Sequence, residues 1–167
     1  VTFDKNFTNL TINLGGDLGL GPLSKDTLTI TGVVDMGSAN LTINGTMDWQ
    51  DGQILFGNDP TITNNGTWII SGDNNMVNNA SAGSIVNTGT INKTSTGTTF
   101  MQTASFNNSG SLNYAGTLVN ASTVFDNTGN LTGNSGTFNN AGTLNHNTGS
   151  IIGGTGNFNN SGIMNLN

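Results

Sequence analysis

The feature that most constrains this chain is a large apolar residue that returns every six or seven positions between residues 100 and 164. In eight of its eleven occurrences, a glycine stands two residues earlier. A short period of this kind is typical of stacked repeats, in which each repeat packs only on its neighbours. The series consists of Phe100, Phe106, Leu112, Leu118, Phe125, Leu131, Phe138, Leu144, Ile151, Phe158 and Met164.

Taken in threes, these positions recur every 18 to 20 residues and predict three columns of like residues. Three or four residues of strand cannot bury an apolar side chain alone, but coils stacked about 4.7–4.9 Å apart can. The sequence therefore predicts an all-β, single-domain parallel β-solenoid, with three short sides and about 19–20 residues per coil. The expected columns are Phe100, Leu118, Phe138 and Phe158; Phe106, Phe125, Leu144 and Met164; and Leu112, Leu131 and Ile151.

Corners every six or seven residues need a backbone that glycine and asparagine tolerate. Asparagine doublets follow three of the core phenylalanines, and we interpret them as corners. Amides at matching corners can also hydrogen-bond along the stack. The corner candidates are Asn107, Asn108, Asn139, Asn140, Asn159 and Asn160.

The period is less regular toward the amino terminus. Residues 1–40 contain a leucine-studded, glycine-rich loop, which we interpret as an irregular first coil or a cap over it. A longer turn explains the same loop equally well. Residues 41–167 form the regular solenoid, continuous with the first part as one domain.

Charge excludes several classes of function. The chain has three lysines, no arginine and nine aspartates, for a net charge of −6. Nucleic acid requires a basic patch, which three scattered lysines cannot build. No apolar run approaches the ~18–20 residues of a spanning helix, so we expect no membrane insertion. Acidic, cysteine-free chains rich in Asn, Thr and Gly are typical of extracellular or cell-surface proteins.

Few residues are candidates for catalysis or metal binding. His146, the sole histidine, has no partner at a recognised catalytic or metal-ligand spacing. Asp48 and Asp51 bracket Trp49 and are weak candidates for a carboxylate pair or for a structural calcium ion, with Asp59 and Asp73 in further turns. Aspartates in turns usually accept backbone hydrogen bonds instead. We predict no enzyme activity and no cofactor.

Several strings resemble repeats of bacterial haemagglutinin-type surface proteins, which share the pectin-lyase-like right-handed parallel β-helix. They are residues 41–47 (LTINGTM), 64–68 (NNGTW) and 139–145 (NNAGTLN), and the likeness covers roughly 41–167. It is one of repeat style, without the Asn-Pro-Asn signatures of the secretion domain. The resemblance implies an exported bacterial rod with an adhesive or structural role.

Apolar residues stay in phase through Ile163, Met164 and Leu166, with no polar capping segment after them. Terminal repeats normally need such a cap. We therefore expect this coil to be an assembly end, covered by a second copy or by neighbouring repeats of a longer chain. An open head-to-tail contact of this kind builds filaments.

These observations predict a non-enzymatic extracellular structural protein, a subunit of a surface filament, sheath or fibrous adhesin. Two alternatives remain open. Threonines at strand positions suggest ice binding, namely Thr29, Thr31, Thr42, Thr61, Thr63, Thr67, Thr90, Thr117 and Thr143. Carbohydrate binding would use Trp49, Trp68 and Tyr114 as stacking residues, although Trp68 has the phase of the core.

Overall fold

The computed structural model describes residues 12–13, 18–20, 27–78, 83–152 and 157–167. For Thr27, Asn78, Ile152 and the residues of the first two strands, it describes the backbone only. Most of the predicted amino-terminal loop or cap lies outside the described residues.

The described strands belong to three sheets, named here in chain order. Sheet 1 contains β1 (Ile12–Asn13), β4 (Val34–Asp35), β7 (Gln53–Phe56), β10 (Asn75–Asn78), β13 (Thr98–Met101), β16 (Thr117–Asn120), β19 (Thr137–Asn140) and β22 (Asn157–Asn160). Sheet 2 contains β2 (Leu18–Leu20), β5 (Leu41–Ile43), β8 (Thr61–Asn64), β11 (Ser84–Asn87), β14 (Ser105–Asn108), β17 (Val124–Asn127), β20 (Thr143–His146) and β23 (Ile163–Leu166). Sheet 3 contains β3 (Thr27–Ile30), β6 (Thr46–Trp49), β9 (Thr67–Ile70), β12 (Thr90–Lys93), β15 (Ser111–Tyr114), β18 (Asn130–Gly133) and β21 (Ile151–Ile152).

Consecutive strands lie in different sheets, and each pairs in parallel with the strand three places along the chain. One circuit through the three sheets is therefore one coil. The described residues form strands, turns and bends but no helix. The structure confirms the all-β parallel β-solenoid with three sides per coil; its hand stays a prediction.

Two side chains of most four-residue strands point inward, because side chains alternate across a strand. We call them the first and second inward positions. In β9 these are Trp68 and Ile70, both fully buried. The first inward position is apolar in nearly every coil, and the register stacks Phe106 on Phe125, Leu112 on Leu131, and Phe138 on Phe158.

The prediction for Phe100 is wrong. In β13 Thr99 and Met101 face inward, and Thr99 pairs with Leu118 in the column predicted for Phe100. Phe100 pairs with Val119 on the outer face and is 44% exposed. Steps of six and of seven residues both occur in the series, so the spacing before Phe106 fits position 99 as well as position 100, and the structure places Thr99 inward. The register also shifts by two residues at Met76, which pairs with the first inward residue Ile54 below it and with the second inward residue Met101 above it, but such a shift leaves each side chain on its own face.

Glycine is required at the corners mainly by crowding. A Cβ on Gly66 would overlap the carbonyl oxygen of Gly45 in the preceding coil, and one on Gly110 would overlap that of Gly89. The same carbonyls accept the backbone N–H of Thr67 and Ser111. Left-handed φ values occur at only a few described glycines, such as Gly52 and Gly116. Close stacking of corner backbones thus explains the glycine that precedes most core residues of the series.

Coils differ in length along the stack. In sheet 2, Phe125 follows Phe106 by 19 residues, as predicted, whereas Met101 follows Met76 in sheet 1 by 25. Strands before residue 41 already pair in register with later coils, since Leu18 pairs with Leu41 and Leu28 with Met47. The described part of the chain contains no helix with the length and apolarity to cross a bilayer.

Candidate functional site

A column of buried amides runs through sheet 2 at the second inward position. Asn64 Nδ2 donates to Asn87 Oδ1, Asn87 to Asn108, and Asn108 to Asn127, each over 2.6 Å. All four side chains are buried. Their Nδ2 groups also donate to backbone carbonyls, such as those of Thr90, Ser111 and Gly129, so the amide donors of the column are satisfied, while Asn64 Oδ1 at its start is buried without a partner among the described residues.

His146 ends this column. Asn127 Nδ2 lies 2.9 Å from His146 Nδ1. Because the amide nitrogen only donates, Nδ1 accepts, and the ring proton lies on Nε2. We thus interpret His146 as the last member of a hydrogen-bonded column, and not as a catalytic base.

A second buried column lies in sheet 1. Asn120 Nδ2 donates to Asn140 Oδ1 and Asn140 Nδ2 to Asn160 Oδ1, both over 2.7 Å. Outside the coil, Asn159 Nδ2 donates to Asn139 Oδ1 over 2.9 Å. The expectation of amide ladders along the stack is confirmed.

The assignment of the doublets to corners needs correction. Asn107, Asn139 and Asn159 lie inside strands and face outward, while Asn108, Asn140 and Asn160 are the last residues of their strands and face inward. The bend comes one residue later, at pairs such as Ser109–Gly110. An inward asparagine at a strand end reaches both the next coil and the corner carbonyl, which an asparagine in the bend would not.

Lys93 occupies the second inward position of sheet 3 and is 2% exposed. Its Nζ donates to the carbonyls of Ser95 and Gly97 over 2.8 and 2.9 Å, and to Ser95 Oγ over 2.7 Å. Burial lowers the pKa of Lys93 below 10.5, and the nearby Asp73 carboxylate opposes this shift. The ammonium ties down the corner that follows β12.

Asp48 and Asp51 do not face one another as a pair. Asp48 accepts from Gln50 Nε2 over 2.7 Å and from Ser71 Oγ over 2.6 Å, while Asp51 Oδ1 accepts the Gly52 N–H over 2.7 Å. Both therefore accept from neutral donors, Asp48 from within strand β6 and Asp51 from the bend that follows it. Among the residues that the structure describes, no three His or Asp side chains are grouped so as to hold a metal ion.

The aromatic residues proposed for sugar stacking face the core. Trp49 and Trp68 are fully buried, with ring centroids 6.2 Å apart, and Tyr114 is 2% exposed. Stacking on a sugar requires an accessible ring face. Phe100 is the described aromatic residue that lies largely exposed.

The coil of residues 157–166 exposes apolar residues. Ile163 on the outer face is 59% exposed, and Leu166 at the second inward position is 67% exposed. Met164 and Phe158 pack partly against the core below. The structure therefore places the three predicted assembly-end residues together on one uncovered strand, β23.

The buried amide column and Lys93 were not predicted. A sequence signal for the column exists: Asn follows the first inward residue by two positions in Ile62–Asn64, Ile85–Asn87, Phe106–Asn108 and Phe125–Asn127. For Lys93 the only such signal is that it also follows a first inward residue, Ile91, by two positions.

No protein-family model matches the chain, and neither a curated protein nor a solved structure matches it.

Proposed function

We propose that the chain is a non-enzymatic, extracellular structural rod: a subunit of a surface filament, sheath or fibrous adhesin that adds coils end to end. The observation that carries the proposal is the parallel stacking of like residues in three sheets, which a further coil at β23 would extend. Leu166 is 67% exposed although it lies in a column whose members from Asn64 to Asn127 are buried.

Two further features support a mechanical role. Parallel backbone ladders run through all three sheets, so a load along the rod is shared between them. Buried amides also bond from coil to coil, as those of Asn87 and Asn108 do. Outward side chains in the later coils are mostly Asn, Thr and Ser, which limits charge repulsion between neighbouring rods.

The occupant that we propose for this edge is a second copy of the chain. In that arrangement β23 would continue into the next coil the parallel pairing that it makes with β20. Burial of Leu166 would then contribute about 1.5–3 kcal/mol to each junction.

Sedimentation velocity over a hundredfold range of concentration, with negative-stain electron microscopy, tests this proposal. We expect rods that lengthen with concentration. The variant Leu166→Asp should stay monomeric, because a junction would bury its charge. Thr67→Asp adds the same charge on the side of the rod and should assemble normally. A wild-type chain that stays monomeric at millimolar concentration would falsify the proposal.

Ice binding is a second candidate, and the register of sheet 3 favours it. The outward positions of Thr27, Thr46, Thr67 and Thr90 pair directly from coil to coil. They continue through Ser111 before Asn130 interrupts the row. Of the other threonines that the sequence suggested, Thr29 lies on sheet 3 beside Asp48 and outside this row, and Thr31 follows β3. The remaining ones lie on different sheets: Thr42, Thr61, Thr63 and Thr143 on sheet 2, and Thr117 on sheet 1.

Thermal hysteresis separates the two candidates. Activity that Thr67→Glu abolishes, and that the sheet 2 variant Thr143→Glu leaves intact, would establish the threonine row as an ice-binding face. If the wild-type chain shows no hysteresis, this candidate is wrong.

A further inference from the structure

Two buried polar atoms without a partner belong to neighbouring residues of one column in sheet 1. In the described part of the chain, the buried side-chain atoms that lack a hydrogen-bond partner are Trp49 Nε1, Asn64 Oδ1, Trp68 Nε1, Asn74 Oδ1 and Thr99 Oγ1. Among these, Asn74 and Thr99 lie in adjacent coils one step before the pair Asn75–Phe100. The Phe100 N–H donates to the Asn74 carbonyl over 3.3 Å, which holds the two strands together at this step.

The amide of Asn74 has a fixed orientation. Its Nδ2 donates to Trp49 O over 2.9 Å. Because a carbonyl only accepts, turning the amide over would place oxygen against oxygen. Oδ1 is therefore the atom left without a donor, in a side chain that is 1% exposed. A buried acceptor in this state costs free energy, since it has lost its hydrogen bonds to solvent.

Lys93 does not supply the missing donor, although it is bound at the same corner. Asn74 Oδ1 lies beside Gly72, and Ser95 Oγ donates to Gly72 O over 2.8 Å. An ammonium group has three N–H donors. Those of Lys93 go to the carbonyls of Ser95 and Gly97 and to Ser95 Oγ. No N–H of Lys93 is left for Asn74 Oδ1.

Small side chains occupy this part of the column. Thr99 pairs with Leu118 in the next coil, and the column continues through Phe138 and Phe158. A threonine and an asparagine fill less of the interior than the leucine and phenylalanines that follow them. Thr99 is fully buried all the same. The level of Asn74 and Thr99 thus combines reduced side-chain volume with unpartnered polar atoms, as sites of internal water do.

From these contacts we infer that one ordered water molecule is bound inside the solenoid between Asn74 Oδ1 and Thr99 Oγ1. The water donates an O–H to Asn74 Oδ1 and accepts the hydroxyl proton of Thr99, so both atoms gain a partner. Buried waters usually make about two to four hydrogen bonds to groups that would otherwise be unsatisfied. This water joins one coil to the next where the column contains no amide ladder. The site is independent of end-to-end association.

Thr99→Val tests the site through the sign of a stability change, because valine has a similar shape and lacks the hydroxyl. Loss of the water would leave Asn74 Oδ1 unsatisfied, so we expect the urea midpoint to fall. If the Thr99 hydroxyl were simply buried without a partner, its removal would raise the midpoint. A rise would therefore overturn the inference.

Nuclear magnetic resonance distinguishes a bound water from a direct bond between the two side chains. In spectra that select water magnetisation, we expect NOE and ROE cross-peaks of opposite sign between water and the Asn74 side-chain amide. Thr99→Ser keeps the hydroxyl and should keep these cross-peaks, whereas Thr99→Val should lose them.

The matched control is the pair Thr103 and Ser122, whose buried hydroxyl oxygens bond directly over 2.8 Å. Exchange of buried hydroxyl protons with solvent gives a background signal there, and the Asn74 signal should exceed it. A direct bond between Thr99 and Asn74, with no water signal above the control, would overturn the inference. So would a water signal that persists unchanged in Thr99→Val, since that water would bind without Thr99.

Discussion

The early and late coils solve the same packing problem with different side chains. Up to residue 70 both inward positions are usually apolar, as in β6 with Met47 and Trp49 and in β9 with Trp68 and Ile70. From β11 onward the second inward position is mostly polar and is filled by Asn87, Asn108 and Asn127 in sheet 2.

Coil length does not account for this change, because Met47 follows Leu28 by 19 residues and Leu131 follows Leu112 by the same number. Asn87 at the second inward position bonds the next coil and a backbone carbonyl, whereas Trp49 and Ile70 fill the same position with apolar volume. The comparison shows that one backbone architecture is specified either by volume or by hydrogen bonds. Four predictions test whether the early coils depend on packed volume and the late coils on hydrogen bonds.

The largest loss should come from removing volume in the early coils. Trp68→Ala should lower the free energy of unfolding by about 3–5 kcal/mol, because the indole is fully buried against Trp49. Urea unfolding followed by circular dichroism measures it. The adjacent outward variant Ile69→Ala is the control, and an equal loss in both would contradict a volume-filled core.

In the late coils, the free energy of unfolding should depend most on the buried asparagine amides. Asn108→Asp should cost about 3 kcal/mol, since a carboxylate accepts from Asn87 but cannot donate to Asn127 or to the Asn130 carbonyl. Asn139→Asp makes the same change on the outer face of β19, where the side chain can still accept from Asn159, and should cost under about 0.5 kcal/mol. Similar urea midpoints for the two variants would rule out a structural role of the column.

An asparagine placed at an inward position of an early coil should destabilise the fold by an amount that depends on the site. Asn64 Oδ1 is buried without a hydrogen-bond partner in the protein, directly above Ile43. Ile43→Asn can donate to this oxygen, whereas Ile54→Asn lies between Val34 and Met76. We expect Ile43→Asn to be less destabilising than Ile54→Asn by about 1–2 kcal/mol. Equal losses of unfolding free energy in the two variants would mean that the asparagine column of the late coils cannot be extended to position 43.

The smallest effect concerns pH. Burial raises the pKa of Tyr114 above 10.0, so the folded state holds its proton after the unfolded chain has lost it. Stability from this group is complete below pH 10 and is lost as the pH rises further. Urea midpoints between pH 9 and 11 should therefore fall less in Tyr114→Phe than in the wild-type chain. Lys93→Met serves as a control for the neighbouring titration; a steeper fall in Tyr114→Phe would contradict the assignment.

Much of the fold follows from the period alone, because stacking like on like is the one way to bury single apolar residues on very short strands. The columns through Phe125, Leu131 and Phe138 were predictable for that reason. Phe100 was not, since a step of six or of seven residues before Phe106 fits the period equally, and spacing measured on apolar residues alone gives Thr99 no weight. The amide column was not predicted, because an asparagine usually indicates a surface or turn position. Only its constant distance from the core residue, followed from coil to coil, indicates that it faces inward.

In-register stacking also bears on how such a chain can change in length over evolution. Phe106 and Phe125 occupy the same place in successive coils, as do Asn108 and Asn127. Loss of residues 106–124 would join Ser105 to Phe125 and keep every later side chain on its own sheet and facing its own way. A gene of this design can therefore grow or shrink by duplication or deletion of whole coils. Loss or gain of a single strand would instead move every later strand onto a neighbouring sheet.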